Sequence, residues 1–403
     1  MSDPRTILIG VIGLTVFLTL YQVVLYPFVL ALVARRSQRS SRGLKEPEPP
    51  TLRSAVPLPR VTVCVVAHNA REHIEGCLRA LLESEYPEDH LEVVVVSDAS
   101  TDGTDEAVLA SGDPRVSLIR MPVRKGKTYA ENRVAPTLRG DLIVNTDATV
   151  LLEPGAIPAL VAAFADDRVG AASGLDVLAS RRLDPESKYV NFEMWLRTLE
   201  TAAGGIIGNS GSIYAVRRHI HALTVPDHLS RDLASAFLTH EAGYRSVFVP
   251  TARCRIPPTA SVRAEYHRKV RTSMRGMQTL WHFRRLLLPW KHGLFSYKLW
   301  SHKVVRWALP PLVLVLGPVT AALAMGVAPP LGWALGGLWK ALIIFSIFAI
   351  VAGERLQLPK GALTTAYLGA GILAGTTAWG RVMIARGDGS WNPTPRKPVT
   401  EVD

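Results

Sequence analysis

The stretch Val93-Val94-Val95-Val96-Ser97-Asp98-Ala99-Ser100-Thr101-Asp102-Gly103-Thr104 narrows the choice of fold more than any other. Four consecutive β-branched residues with no polar alternation read as a strand buried on both faces, the pattern of a parallel sheet covered by helices on each side. The strand then stops at a carboxylate, two hydroxyls, a second carboxylate and a glycine. Open α/β sheets bind ligands in the crevice beyond the carboxyl ends of their strands, so a ligand is expected at this loop. Asp98, acceptor-only when ionised, suits a nucleobase or ribose. Ser100, Thr101 and Asp102 suit a ligand loop and the cap of the next helix equally well.

The surrounding pattern alternates. Strands are expected at Val61–Ala67, Leu91–Ser97, Val116–Arg120 and Asp141–Thr146, with helices at Ala70–Leu82, from Asp105, at Lys127–Leu138 and at Pro154–Ala165. Such alternation predicts a doubly wound, mostly parallel sheet. Neither GxGxxG after the first strand nor GxxxxGK[ST] anywhere is present, which argues against a dinucleotide fold and a P-loop. What the strand ends do carry is Ala67-His68-Asn69, Asp98 and Thr146-Asp147-Ala148-Thr149, with Lys127 opening a helix after Gly126. Two acids and a lysine converging on one cleft suit a nucleotide diphosphate with a divalent cation.

Hydrophobic runs bound the rest. Residues from about Thr6 to Val33 form an apolar segment long enough to span a bilayer, and Arg35, Arg36, Arg39 and Arg42 follow it, which predicts emergence into the cytoplasm. Further runs lie at about Trp307–Val327, Leu331–Ala352 and Ala362–Met383. Three spans would put the tail outside, whereas its Arg381, Arg386, Arg396 and Lys397 prefer the inside; the number of spans stays open. Net charge is +12, and eleven Lys/Arg with one acid, Glu265, fall between Arg263 and Arg306 among several tryptophans. Basic and aromatic residues running into a span point to the lipid interface rather than to nucleic acid. Cys64, Cys77 and Cys254 have neither disulfide nor zinc spacing. The expected organisation is a transmembrane helix at 1–34, a cytoplasmic linker at 35–59, an α/β domain at 60–260, amphipathic interfacial helices at 261–306, about three transmembrane helices at 307–385 and a tail at 386–403.

In the order and spacing of these pieces the chain resembles the membrane-embedded bacterial family 2 glycosyltransferases of the GT-A fold, of polysaccharide synthase type. Val61–Asn69 is similar to the family's opening strand, Val93–Thr104 to its DgSTDGT loop, Gly126-Lys127…Asn132 to GK…N, Asn145–Pro154 to the strand ending in DxD, and Gly208–Arg218 to the G…GaiyAiRR segment. The resemblance implies inverting transfer from a nucleotide sugar, a UDP-sugar, to a saccharide or lipid-linked acceptor at the cytoplasmic membrane face, for surface or exopolysaccharide synthesis. It implies donor contacts from Ala67, His68, Asn69, Asp98, Lys127 and Asp147, and an acceptor pocket at Gly208, Asn209, Ser210 and Gly211. Asp147 and Thr149 are implied as ligands of Mg²⁺ or Mn²⁺, and Asp232 as the catalytic base.

Departures qualify the resemblance. A threonine, Thr149, replaces the second carboxylate of DxD, and Arg231 replaces the first acid of the pair that Asp232 completes. QxxRW is absent; Arg268, Arg271 and Arg275 share a helical face there and suit either the donor diphosphate or lipid headgroups. Trp391 and Arg396 resemble the W…R tail of polysaccharide synthases. The helix through Tyr189, Phe192, Leu196 and Leu199 leaves Glu193, Arg197 and Glu200 on its other face, expected as a salt-bridged solvent face, with acceptor binding the alternative. A single-sugar lipid glycosyltransferase and a non-catalytic UDP-binding scaffold of an export complex are the alternatives.

Overall fold

A computed structural model describes residues 3–41, 58–178, 185–259, 261–352 and 358–384. Residues 42–57 of the expected linker and the whole tail 386–403, with Trp391 and Arg396, lie outside the described residues.

At the amino terminus α1 (Pro4–Leu20) and α2 (Tyr26–Ser41) form one rod through a π-turn at Tyr21–Leu25. The α/β domain opens with β1 (Val61–Ala67), α3 (Arg71–Leu82), β2 (Leu91–Ser97), α4 (Thr104–Leu109), β3 (Val116–Arg120), α5 (Lys127–Val134) and β4 (Leu142–Asp147). Next come β5 (Leu151–Leu152), α6 (Ala156–Ala162), β6 (Val169–Leu178) and α7 (Pro185–Ala202). It closes with β7 (Ile213–Arg217), α8 (Arg218–His221), α9 (Arg231–Glu241) and β8 (Arg245–Ile256). The helices α10 (Val262–His282), α11 (Pro289–Lys298), α12 (Val305–Val327), α13 (Pro329–Ala352) and α14 (Lys360–Ile384) follow.

All seven residues of β1 are buried, as an apolar run without alternation requires. Successive side chains point to opposite faces. Val63, Val65, Val93 and Val95 pack with Ile74, Leu78, Leu81, Ile157 and Leu160 of α3 and α6. Cys64, Val66, Val94 and Val96 pack on the other face with Ala130 and Val134 of α5. The strand order is β3-β2-β1-β4-β7-β6-β8-β5. β3, β2, β1 and β4 are parallel, with Val63 opposite Val93 and Val144. β7 runs antiparallel to both β4 and β6, and β5 to β8, so the sheet is mixed beyond its first four strands. The expected helix to Leu138 ends at Val134, because Pro136 has no N–H to donate and diverts the chain into a 3₁₀ turn at Ala135–Thr137.

Among the described residues, the helices Arg5–Arg36, Pro289–Val327 and Pro329–Ala352 are long and apolar enough to cross a membrane. Their outer surfaces display Ile9, Phe17, Trp333, Leu338 and Val351, a density of exposed apolar groups foreign to a water-facing surface. α14 buries Ala366, Ala370, Ala374 and Ala378, one small residue per turn, which lets neighbouring helices approach closely. A Cβ on Gly375 would stand 2.6 Å from the Pro310 ring of α12.

Candidate active site

Strand order reverses between β1 and β4, since β2 and β3 lie to one side of β1 and β4 to the other. Doubly wound sheets place their ligand crevice at such a switch point. Two residues at this edge adopt left-handed backbone: Asn69 (φ 47°) after β1 and Ala99 (φ 53°) after β2, the only non-glycine examples among the described residues. Each costs on the order of 1–3 kcal/mol and persists only where surrounding bonds fix it. Those bonds are present. Asn69 N–H donates to Ser100 Oγ (3.2 Å), and Thr101 N–H donates to Asn69 Oδ1 (2.9 Å). Asp102 accepts from the N–H groups of Arg71 (3.0 Å) and Thr104 (3.1 Å), so it caps the starts of α3 and α4. Burial works against its charge, yet these hydrogen bonds hold its carboxyl below the usual range.

Asp98 is fully buried, and its two oxygens accept from the backbone N–H groups of Lys125 (2.9 Å) and Gly126 (2.8 Å). Asp98 and Ala67 lie beneath the crevice, and Asp98 fixes the turn from which α5 and Lys127 spring. His68 Nδ1 pairs with the Asp98 carbonyl at 2.8 Å, so His68 and Asn69 form the wall above.

Lys127 Nζ stands 2.5 Å from Asp147 Oδ1 and 3.4 Å from the Gly211 carbonyl oxygen. Burial opposes its charge, but Asp147 and Glu131 outweigh burial and hold the ammonium above its ordinary pKa. Across the gap, Asp232 lies in the first turn of α9, bonded to the Ser230 hydroxyl. A Cβ on Gly211 would come within 3.2 Å of Asp232 Oδ2, so the bare loop leaves the carboxylate open to the crevice. Arg231 turns away: it is buried and donates to Asn132 Oδ1 (2.8 Å) and the Leu223 carbonyl (2.9 Å). The residue replacing the family's first acid is thus a strut between α9 and α5.

One cleft of about 1040 Å³ joins these groups. It begins at His68 and Asn69, passes Lys127, Asp147, Thr149 and the Gly208–Gly211 loop, and reaches Asp232. It then continues beyond the α/β domain to Leu309, Pro310 and Val313 of α12 and Leu368, Gly371 and Ile372 of α14. Arg268 and Arg271 of α10 form part of its wall, Arg268 in a two-bond pair with Glu265 (2.7 and 2.8 Å). Arg275, on the same face, lines the cleft too and braces the fold through Thr128 Oγ1 (2.8 Å) and the His228 carbonyl (3.3 Å).

Sequence reasoning gave no role to one wall residue, Asp176. Ser210 Oγ lies 2.8 Å from both carboxylate oxygens of Asp176 and shares its one proton between them; burial raises the Asp176 carboxyl above the ordinary value while Arg197 pulls it down. It sits in Gly170–Leu178, a run of small residues with little strand signal. Lys303 and Glu193 also line the cleft. Glu193 and Glu200, expected in solvent, are enclosed. Glu200 accepts from Tyr26 Oη (2.7 Å) and pairs with His302 Nδ1 (2.6 Å); Glu193 pairs with Arg306 and with His302 Nε2 (3.3 Å). Helical periodicity identifies a polar face but not whether another helix covers it.

Asp147 and Thr149 offer a carboxylate and a hydroxyl two residues apart at the β4 end. A hard divalent cation takes oxygen ligands and completes its shell with substrate phosphates and water, so this pair fits Mg²⁺ or Mn²⁺ carried with a diphosphate. Among the described residues no group of three or more His, Cys, Asp or Glu forms a ready-made cage.

A mixed eight-stranded sheet with a crevice at its switch point is the architecture of the GT-A class of nucleotide-sugar domains. Residues 62–218, most of the α/β domain, match the family described as "Glycosyl transferase family 2". The chain is 27% identical to an N-acetylglucosaminyltransferase of Rhizobium meliloti (strain 1021) over 72% of its own length and 70% of the relative's. A second N-acetylglucosaminyltransferase, from Mesorhizobium japonicum, is 27% identical over 49% of this chain, and the match spans about half (51%) of that relative. Among solved structures, the mannosyltransferase PcManGT from Pyrobaculum calidifontis, in complex with GDP-Man and Mn²⁺, superposes with a TM-score of 0.66. That likeness, at 25% identity, covers 93% of this chain and 99% of the other, helices included.

Proposed function

We propose that the protein transfers a sugar, with inversion, from a UDP-sugar to a hydroxyl of a lipid-linked acceptor at the cytoplasmic face of a bacterial membrane, in surface or exopolysaccharide synthesis. The observation that carries this reading is the single cleft running from the β-strand ends to the apolar helices α12 and α14. A water-borne donor reaches one end, and an amphipathic acceptor reaches the other from the bilayer. Arg35 and Arg36, directly after the first apolar helix, support a cytoplasmic domain.

In this reading His68 and Asn69 seat the nucleoside. Lys127 meets the charge that grows on the departing diphosphate, and the Asp147 and Glu131 carboxylates keep it protonated against burial. Asp147 and Thr149 would hold Mg²⁺ or Mn²⁺, which when bound neutralises charge on the diphosphate. Asp232 takes the proton of the attacking hydroxyl, oriented by the Ser230 hydroxyl.

The test uses the full chain in lipid vesicles, screened with UDP-glucose, UDP-N-acetylglucosamine, UDP-galactose and GDP-mannose, with Mg²⁺ or Mn²⁺, for nucleoside diphosphate release. One UDP-sugar is expected to give turnover that Asp232→Asn lowers by about 10²–10⁴-fold, the usual weight of a general base. Release that survives Asp232→Asn, or none from any donor, would overturn the assignment.

A further inference from the structure

The segment Lys298–Arg306 brings four side chains with cationic character to the seam between the α/β domain and α12, and three are committed to protein partners. Lys298 donates to the carbonyl oxygens of Glu200 (3.0 Å), Ala203 (2.8 Å) and Gly205 (2.7 Å). His302 is held between Glu200 and Glu193. Arg306 binds Glu193 and the Tyr189 hydroxyl (2.7 Å). Lys303 is different. It lines the cleft and has no hydrogen bond or ion pair among the described residues. Its Nζ lies 3.8 Å from where a Cβ on Gly208 would stand.

The residue after Gly208 supplies an independent sign. Asn209 is 4% exposed and lines the same cleft, yet its Oδ1 and Nδ2 both lack a partner among the described residues. A buried amide with neither bond made costs on the order of 1–3 kcal/mol per group, so a ligand is the natural source of its partners. The Gly208–Gly211 loop therefore has an uncommitted ammonium and amide at one end and the Asp232 carboxylate at the other. Three residues span at most about 11 Å, so both ends lie within reach of one sugar-bearing ligand. Past Lys303 the walls turn apolar, with Leu309, Pro310 and Val313.

We propose that Lys303 and Asn209 bind a phosphoryl group on the head of the lipid acceptor, at the boundary between its sugar and its hydrocarbon. This rests on the glycosyltransferase reading above and narrows the acceptor from any lipid-linked hydroxyl to an anionic, phosphate-bearing one. A second source of the same chemistry is the donor diphosphate. Lys127 already serves that end of the cleft, so the acceptor is favoured.

The test measures binding by the full chain in detergent micelles of two probes with identical tails, dioleoyl phosphatidic acid and dioleoylglycerol, and separately of UDP with Mn²⁺. The wild type is expected to prefer phosphatidic acid by tenfold or more, Lys303→Met to erase the preference, Lys303→Arg to keep it and Asn209→Ala to weaken it. UDP affinity should stay unchanged in all three variants, which also shows that they fold. Equal binding of both lipids by the wild type overturns the proposal, as does a preference that survives Lys303→Met. So does a parallel loss of UDP affinity in Lys303→Met with rescue by Lys303→Arg, which would assign the lysine to the donor. Failure of the wild type to bind UDP or GDP would instead strike at the glycosyltransferase reading and leave the lipid preference to be judged by itself.

Discussion

His221 illustrates how a single residue under the site makes the fold sensitive to acid. It is buried beneath the β4 end, with Nε2 3.1 Å from Asn145 Oδ1, and burial followed by the Arg231 charge pushes its pKa down to about 3. The unfolded chain binds a proton there near pH 6.5 and the folded chain does not. Its contribution to stability is therefore complete above the unfolded pKa and lost as pH falls toward 3. Between pH 6.5 and 5 that amounts to about 2 kcal/mol, at about 1.4 kcal/mol per pH unit. Thermal unfolding at pH 7 and pH 5 should show a larger fall for the wild type than for His221→Gln; equal falls would mean another group carries the acid sensitivity. None of this was legible beforehand, because a lone histidine in sequence carries no sign of burial. Asp98 teaches the same lesson: the strand-end pattern located it, but its full burial and its bonds from the Lys125 and Gly126 amides depend on a loop 27 residues further along the chain.

At the level of elements, what the sequence made legible follows a physical divide. Local signals located β1 to β4 because each is a short apolar run closed by turn residues. β6 and β8 escaped, since Gly170–Leu178 is rich in small residues and β8 carries Arg245, Arg253 and Arg255. The polar face of α7 was legible as a face, while its covering came from Tyr26 and His302, far away in the chain. Burial opposes the Glu200 charge, but His302 and Tyr26 outweigh it and hold the carboxyl below its usual range, so this seam also weakens as pH falls through that range. Removing the anion by Glu200→Ala leaves Tyr26 Oη and His302 Nδ1 without their acceptor, and each buried polar group left unsatisfied costs about 1–3 kcal/mol. The expected outcome is a lower melting temperature with earlier proteolytic cleavage around Leu299–Val304. An unchanged melting temperature would mean that apolar packing of Leu196 and Leu30 alone holds the seam.

Across the whole molecule, a lipid acceptor requires the cleft to stay open where it meets the helices, and that makes the far end of the cleft testable without touching the chemistry. Gly371 of α14 lines this end, and a Cβ added there would meet only the flexible Nζ of Lys269, at 3.5 Å. Gly375, one turn later, would collide with the Pro310 ring at 2.6 Å, so a side chain there disturbs helix packing and is a poor probe. Gly371→Leu instead fills space that the helices leave free, and in a helix interior leucine is also better tolerated than glycine. If the acceptor enters between α12 and α14, transfer to membrane lipid should fall tenfold or more in this variant. Nucleotide binding and hydrolysis of the donor by water should persist, because His68, Asn69, Lys127 and Asp147 lie at the other end. Radiolabelled sugar incorporated into the lipid phase, measured beside free sugar released, separates the two in one assay. Transfer that continues undiminished would mean that the acceptor arrives from water, and the apolar end of the cleft would then have no part in catalysis.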